Sequence, residues 1–392
     1  MQTLVGFGNI RGKVIGYNDQ PATDSDIAEM KKVMEDNLLA GAVGLSTGLE
    51  YTPDSYARTE EIIELCRIVS SHNGVYATHM RDEGDKVLEA IDETLNIARA
   101  SNASVEISHL KTAYQRNWHK NSEVLAKLEE AEKSGIRVNF DRYPYIAGST
   151  SLDFYFPNQA KQGTTAEFIA RLKDPGFDKE FRSYLKMQEE RLGSWDKVVI
   201  ASVYTAKNKP FEGKNILEAS SQSGKPPYEF MRDIIIEEED RVEMVVFNMS
   251  EDNLKKILSH PLWMPGSDGS AIAPSGVLSV GKPHPRFYGT FPRILGKYVR
   301  EEKILMLPEA IKKMTSTPAC KFGFQKRGQI AENWWADIVV FNPDTVIDKA
   351  TWTDPHQFPE GIDYVIVNGQ IVVHEGEQTD LLPGTILRSS GF

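Results

Sequence analysis

Four polar side chains stand where apolar runs of this sequence end. His79 closes "VYATH", His109 closes "VEISH", Asp141 lies in "VNFDRY", and Asp268 follows "WMPGS" between Gly266 and Gly269. Neutral imidazole nitrogens hold Zn²⁺ or a similar divalent ion, and a carboxylate beside them accepts a proton from water. Two histidines and a carboxylate on different strand ends therefore point to metal-assisted chemistry. The plainer reading is that both histidines only hydrogen-bond the loops above them. The other histidines carry weaker signals. His72 suits a helix C-terminus, and His119, His260, His356 and His374 fall in loops, at helix ends or in a late β-rich stretch. His284 sits in "GKPHPRFYG", a loop shaped by proline and glycine, and is ambiguous. Cys66, mid-helix among Ile63, Leu65 and Val69, and Cys320, after "STPA", do not end strands and are read as structural.

The elements that must position these residues alternate. Strand-like "LVGFG" precedes a helix in which Ile27, Met30, Met34 and Leu38 recur at helical spacing, with Thr23 as N-cap and Gly41 as stop. "GAVGLSTG", "VYATH", "SVEISHL" and "RVNFDRYPY" follow as strands, each separated from the next by a helical pattern. Val43, Val75, Val105 and Val138 lie 32, 30 and 33 residues apart. That period is the βα unit of a parallel sheet. Five such units without a glycine-rich phosphate fingerprint favour a βα barrel over a dinucleotide fold, and a barrel gathers strand C-termini on its active face. Residues 153–240 break the rhythm and read as an insertion able to lie over the site. The barrel pattern resumes with "VEMVVFNM" (Val242–Met249). From about Thr317, short strands parted by Asn-Pro and Asn-Gly turns read as a small β appendage. The expected division is a catalytic domain over 1–316 and a small β segment over 317–392.

Composition narrows the partners. The 392 residues are 40% hydrophobic and 26% charged, with a net charge of −11 and no basic block, which argues against nucleic acid. No apolar run approaches the roughly 20 residues of a membrane span. Two cysteines cannot build a disulfide framework, and the first residues lack a signal-peptide pattern, so a cytoplasmic protein acting on a small molecule is expected. Nothing in the sequence sets the oligomeric state.

Longer blocks then carry a resemblance. "GAVGLSTGLEYTP", "YATHMRDEGDKVLEAIDE", "VEISHLK", "DRYPYIAGSTSL", "MPGSDG", "GKPHPRFYGTFPRILGKYVRE" and "ADIVVFNPDTVIDKATW" resemble, in order and over nearly the whole chain, the N-acyl-D-amino-acid deacylases (D-aminoacylases) of the amidohydrolase superfamily. The resemblance implies a metal-dependent (β/α)8 TIM-like barrel with a small β-sandwich and hydrolysis of the linear amide of an N-acyl-D-amino acid. It places His79 and His109 at metal-ligand positions, Zn²⁺ or another divalent ion being the cofactor, and Asp268 as the catalytic carboxylate. Tyr51, Lys111, Tyr143 and Ser149 resemble positions near the substrate carboxylate, although Tyr145 shares Tyr143's face by alternation. The family also opens with a His-x-His strand and carries a cysteine ligand. Neither occurs here, and Phe7 stands where a histidine is common. The expectation is thus a barrel without its first two strands, and a chain inactive by itself. Two rivals remain: a cyclic-amide hydrolase of the dihydroorotase or hydantoinase type, and a relative with a structural role. No lysine ends a strand as the first would need, and retention of His79, His109 and Asp268 together argues against the second.

Overall fold

The computed structural model describes residues 1–389. Its first sheet is parallel. Six strands run in the order β1 (Val5–Gly6), β2 (Gly44–Gly48), β3 (Val75–His79), β4 (Ser104–Ile107), β5 (Val138–Arg142) and then Trp263–Pro265, numbered β9 below. Among the described residues β1 and β9 each have a strand neighbour on one side only. The connections are helices: α1 (Phe7–Val14) and α2 (Asp24–Leu39) after β1, then α3 (Thr59–Ser71), α4 (Val87–Ser101) and α5 (Asn121–Lys133), one between each following pair. The α2 start follows from its sequence. The Thr23 side chain accepts from the Asp26 N–H, and the Asp26 side chain accepts from Thr23 N–H, a closed capping box. Gly41, just past the end, has φ +107°, which a side chain would oppose.

Alternation along the strands sorts their side chains. Leu45, Tyr76, Val105, Ile107, Phe140 and Trp263 enter the core shared with the helices. Ser46, Ala77, Glu106 and Asn139 lie in register with one another on the opposite face. The "LVGFG" strand is shorter than its pattern suggested, because Phe7 turns into α1 and is wholly buried there.

One expectation is corrected. Val242–Met249 does not return to the parallel sheet. Its core is β8 (Glu243–Phe247), which pairs antiparallel with β6 (Ala147–Ser151) on one side and β7 (Val198–Ser202) on the other. The pattern is ambiguous because an apolar run reads alike in either kind of sheet. Pairing Ala147 with Phe247 and Ser151 with Glu243 brings the two ends of the intervening segment together. That segment holds α6 (Thr165–Lys173), α7 (Pro175–Leu192), α8 (Ile216–Ser223) and α9 (Pro227–Glu237), and it has its own core around Phe156, Phe181, Trp195 and Met231. The chain then runs through α10 (Glu251–Leu258), β9, α11 (Arg286–Arg293), a π-helical stretch Ile294–Glu301, α12 (Leu307–Met314) and α13 (Ser316–Lys321). It ends in an antiparallel sheet of β10 (Ile338–Phe341), β11 (Ile362–Val367), β12 (Gln370–His374) and β13 (Glu377–Gln378). No helix among the described residues is long and apolar enough to cross a membrane.

Candidate metal and hydrolytic site

His79 is the last residue of β3, paired in register with Gly48. Because Tyr76 and Thr78 face the core, His79 falls on the other face. His109 follows β4 in a left-handed backbone conformation (φ +42°), a turn held by the Asp141 carboxylate, which accepts from the His109 N–H at 2.9 Å. The result is that the two imidazoles meet, with His79 Nδ1 and His109 Nε2 3.1 Å apart. Two carboxylates close around them. Glu83 Oε1 lies 3.0 Å from His109 Nδ1, and its Oε2 3.9 Å from His79 Nε2. Glu50 Oε2 lies 3.1 Å from His79 Nε2. Lys111 Nζ sits 2.5 Å from Glu83 Oε1 and 2.9 Å from His109 Nδ1.

Charge is divided unequally. Burial, with the Lys111 cation second, pulls the His109 pKa down to about 4, so this imidazole is neutral with a lone pair to give. Burial also opposes charge on His79, but Glu83 and Glu50 outweigh it and raise its pKa. Glu83 stays ionised: Lys111 and both histidines overcome its burial and hold its pKa well below the carboxylate range. Burial, with Asp268 nearby, lifts Asp141 to about 7. Ligand atoms of His79, Glu83 and His109 all lie within 4.8 Å of one another. Two imidazole nitrogens and an ionised carboxylate are a donor set that suits Zn²⁺ or a similar ion, so the residues fit the metal.

The seven residues that the resemblance placed at the site line one cavity of about 290 Å³, whereas Asp141 stands behind it, holding the His109 N–H. Tyr51 packs edge-on to His79 at 4.9 Å between ring centroids, and its hydroxyl accepts from Thr150 at 3.1 Å. Tyr143 is buried against the guanidinium groups of Arg142 and Arg286, 4.0 and 4.5 Å from its ring. Ser149 donates to the Met244 carbonyl at 2.9 Å. Asp268 is the most open of the group, 40% exposed, and its Oδ2 meets Arg286 Nη2 at 2.8 Å. A larger cavity of about 770 Å³ opens at the other ends of the strands, near Val75, Ser104 and Lys321. It holds none of the clustered ligands, and in parallel α/β folds of this kind chemistry sits at strand C-termini. The smaller cavity is the candidate site.

Glu83, Glu50 and Arg286 escaped the sequence reading. Glu83 had a signal, four residues after His79, but "RDEGD" looks like a solvated turn until its partners are seen. Arg286 belongs to the ambiguous His284 loop. His284 is fully buried, donates from Nε2 to the Ala147 carbonyl at 2.9 Å, and accepts at Nδ1 from the Arg286 N–H at 2.9 Å. It fixes the first residue of α11. Arg286 is buried, and its Nε and Nη1 have no hydrogen-bond partner. Cys66 is buried in α3 as expected, whereas Cys320 is exposed, and neither lines this cavity.

Comparison with known proteins assigns the class. The amidohydrolase family profile matches residues 7–373, and the chain belongs to that family. A D-aminoacylase of Alcaligenes xylosoxydans xylosoxydans is 36% identical over 388 residues, 98% of this chain and 69% of the relative. The crystal structure of N-acyl-D-glutamate deacylase from Bordetella bronchiseptica, solved with zinc and a phosphonate mimic of the tetrahedral intermediate, superimposes with a TM-score of 0.82 at 31% identity, covering 99% of this chain and 71% of that one. A D-hydantoinase from Thermus sp. shares the fold alone, at 12% identity and a TM-score of 0.50 over 94% of this chain and 71% of its own.

Proposed function

We propose that this protein is a metal-dependent hydrolase that cleaves the linear amide of N-acyl-D-amino acids, giving a carboxylate and a free D-amino acid. The observation that carries the reading is the convergence of His79, Glu83 and His109 beneath a cavity whose rim holds Asp268 and Arg286. His79, His109 and Glu83 would hold the metal, with Glu50 orienting His79. A divalent ion there supplies Lewis acidity toward the amide carbonyl and lowers the pKa of water. Asp268 Oδ takes a proton from the attacking water and returns it to the departing amide nitrogen as the C–N bond breaks, so one water is consumed per bond. Asp268 suits this because it is reached by solvent and held by a single strong partner.

The substrate carboxylate is read by Arg286. Lys111, placed near it by resemblance, is already engaged with Glu83, while Arg286 keeps two buried N–H groups without partners. A buried guanidinium with open donors favours a carboxylate strongly. Tyr143 supports its plane, and Tyr51 and Ser149 shape the walls. Among the described residues Lys111 and Arg286 are the only lysine or arginine lining the cavity; Lys111 is paired with Glu83 and Arg286 with Asp268, and only Arg286 keeps unpartnered N–H groups. A second carboxylate on the substrate side chain has no cation to meet, so the preferred side chain is neutral and apolar, facing Phe154, Val246 and Met249. The test is release of free amino acid, by chromatography, from N-acetyl-D-methionine, N-acetyl-L-methionine and N-acetyl-D-glutamate with Zn²⁺-loaded protein. The D-methionine derivative should be cleaved fastest, and turnover of it would overturn the expectation of a chain inactive by itself. Arg286→Met should raise KM for it at least tenfold and leave its carboxamide analogue unaffected. Preference for the L-substrate would end the reading, and preference for D-glutamate would end the neutral side-chain assignment.

A further inference from the structure

The loop after β3 reads "RDEGDK", and its Arg81, Asp82, Glu83 and Asp85 side chains are tied to other parts of the molecule. Arg81 binds Glu93 of α4 through Nε and Nη2, and also the Ser55 and Ala57 carbonyls. Glu83 enters the site. The two aspartates that flank it, Asp82 and Asp85, both meet one side chain from far along the chain: Arg191 on α7. Arg191 Nη2 lies 3.1 Å from Asp82 Oδ2, and its Nε lies 3.1 Å from Asp85 Oδ2. The Asp82 carboxylate also accepts from the N–H groups of Gly84 and Lys86, so a pull on Asp82 is a pull on the backbone around Glu83.

A second contact of Arg191 clamps the same loop. The guanidinium of Arg191 stacks on the Tyr114 ring at 4.3 Å. Tyr114 has φ +67°, ψ +132°, a conformation aromatic residues rarely adopt, and it is held there by its N–H to the Asn248 carbonyl at 2.8 Å. The neighbouring Ala113 N–H donates to the Glu83 carbonyl at 2.7 Å. Tyr114 and Arg191 together press on Gly84. A Cβ there would come within 2.7 Å of the Tyr114 ring and 3.0 Å of Arg191 Nη2.

We infer that Arg191 is a positioning residue for the site: from the antiparallel unit it staples Asp82 and Asp85 and, with Tyr114, fixes the loop so that Glu83 points at His79 and His109. The inference rests on the reading that Glu83 holds the metal. Outer partners of metal ligands typically carry a factor of 10–100 in metal affinity. The inserted segment is on this view a strut of the metal site as well as a cover.

The test uses the full chain, stripped of metal and titrated with Co²⁺ alone against a chromophoric chelator, with the visible Co²⁺ spectrum and the melting temperature recorded. Arg191→Gln should weaken Co²⁺ binding 10–100-fold and change the spectrum, with Arg191→Lys intermediate because an ammonium cannot span both aspartates. Gly84→Ala should reproduce the effect by wedging the loop away from Tyr114. Arg182→Gln removes ion pairs to Asp178 and Glu229 from the same helix without touching the loop, so it should lower the melting temperature while leaving Co²⁺ affinity within twofold. Glu83→Gln separates the two claims: wild-type affinity in that variant removes Glu83 from the metal site. If Glu83→Gln loses Co²⁺ while Arg191→Gln and Gly84→Ala keep the wild-type affinity and spectrum, the positioning role is overturned. Equal losses in Arg191→Gln and Arg182→Gln would overturn it too, as general destabilisation.

Discussion

Asp268 and the histidine pair divide the work by environment. His109 is buried and uncharged, fit to give a lone pair, while Asp268 remains open to water and held by Arg286 alone. Two groups of such different exposure belong to two roles, ligand and proton carrier. Asp268→Asn should therefore leave fold and bound metal intact while lowering kcat by about 10²–10⁴, the usual cost of losing an acid–base group. Steady-state rates beside metal content by atomic absorption check it; turnover near wild type would remove Asp268 from the mechanism. At this scale the sequence pointed to His79, His109 and Asp268 because each stands at or just past the end of an apolar run. Its one signal for Glu83, the four-residue spacing from His79, does not separate a site residue from a solvated turn, because the role depends on a fold-back against His109 and Lys111.

Elements carry the next level. The turn between α9 and β8 places Asp240 beside Asp153 in a partly buried setting, and burial first, then Asp153, push its pKa from 3.8 up to about 7. A carboxyl with a raised folded pKa binds its proton more tightly when folded. Its favourable contribution is complete below pH 3.8 and is lost as pH climbs to 7, so above 7 the charged side chain is a net cost. Asp240→Asn should raise stability at pH 8 by roughly 1–2 kcal/mol after discounting for solvent screening and change little at pH 4. Melting curves at the two pH values decide it; an equal gain at both would mean that the left-handed backbone of Asp240 (φ +64°), which Asn tolerates well, is the cause. The βα alternation from β2 to β5 was legible because helix and strand leave different periods in the sequence. The fate of Val242–Met249 was not, since strand pairing is decided by partners far away: β6, nearly a hundred residues earlier, claims it.

For the whole molecule, the site joins β3 and β4 with their loops, the Glu50 loop after β2, Asp268 after β9 and Arg191 of the antiparallel unit. A ligand that binds only this assembled state stabilises it by mass action, about 2.7 kcal/mol at a hundredfold excess over Kd. Zn²⁺ added to stripped protein should raise the melting temperature by several degrees, a chelator should reverse the shift, and His79→Ala should abolish it. A melting temperature unmoved by Zn²⁺ would mean that His79, Glu83 and His109 do not form a metal site. The sequence by itself determined the strand–helix alternation, the strand ends on which His79 and His109 stand, the resemblance to deacylases and the capping of α2. Each follows from residues within one element or from blocks read in order. Only the tertiary structure decided that Glu83 completes the histidine pair, that Arg286 keeps open donors, and that α7 reaches back to the loop behind His79. Those outcomes depend on distances between residues scores of positions apart, which packing sets and local propensity does not.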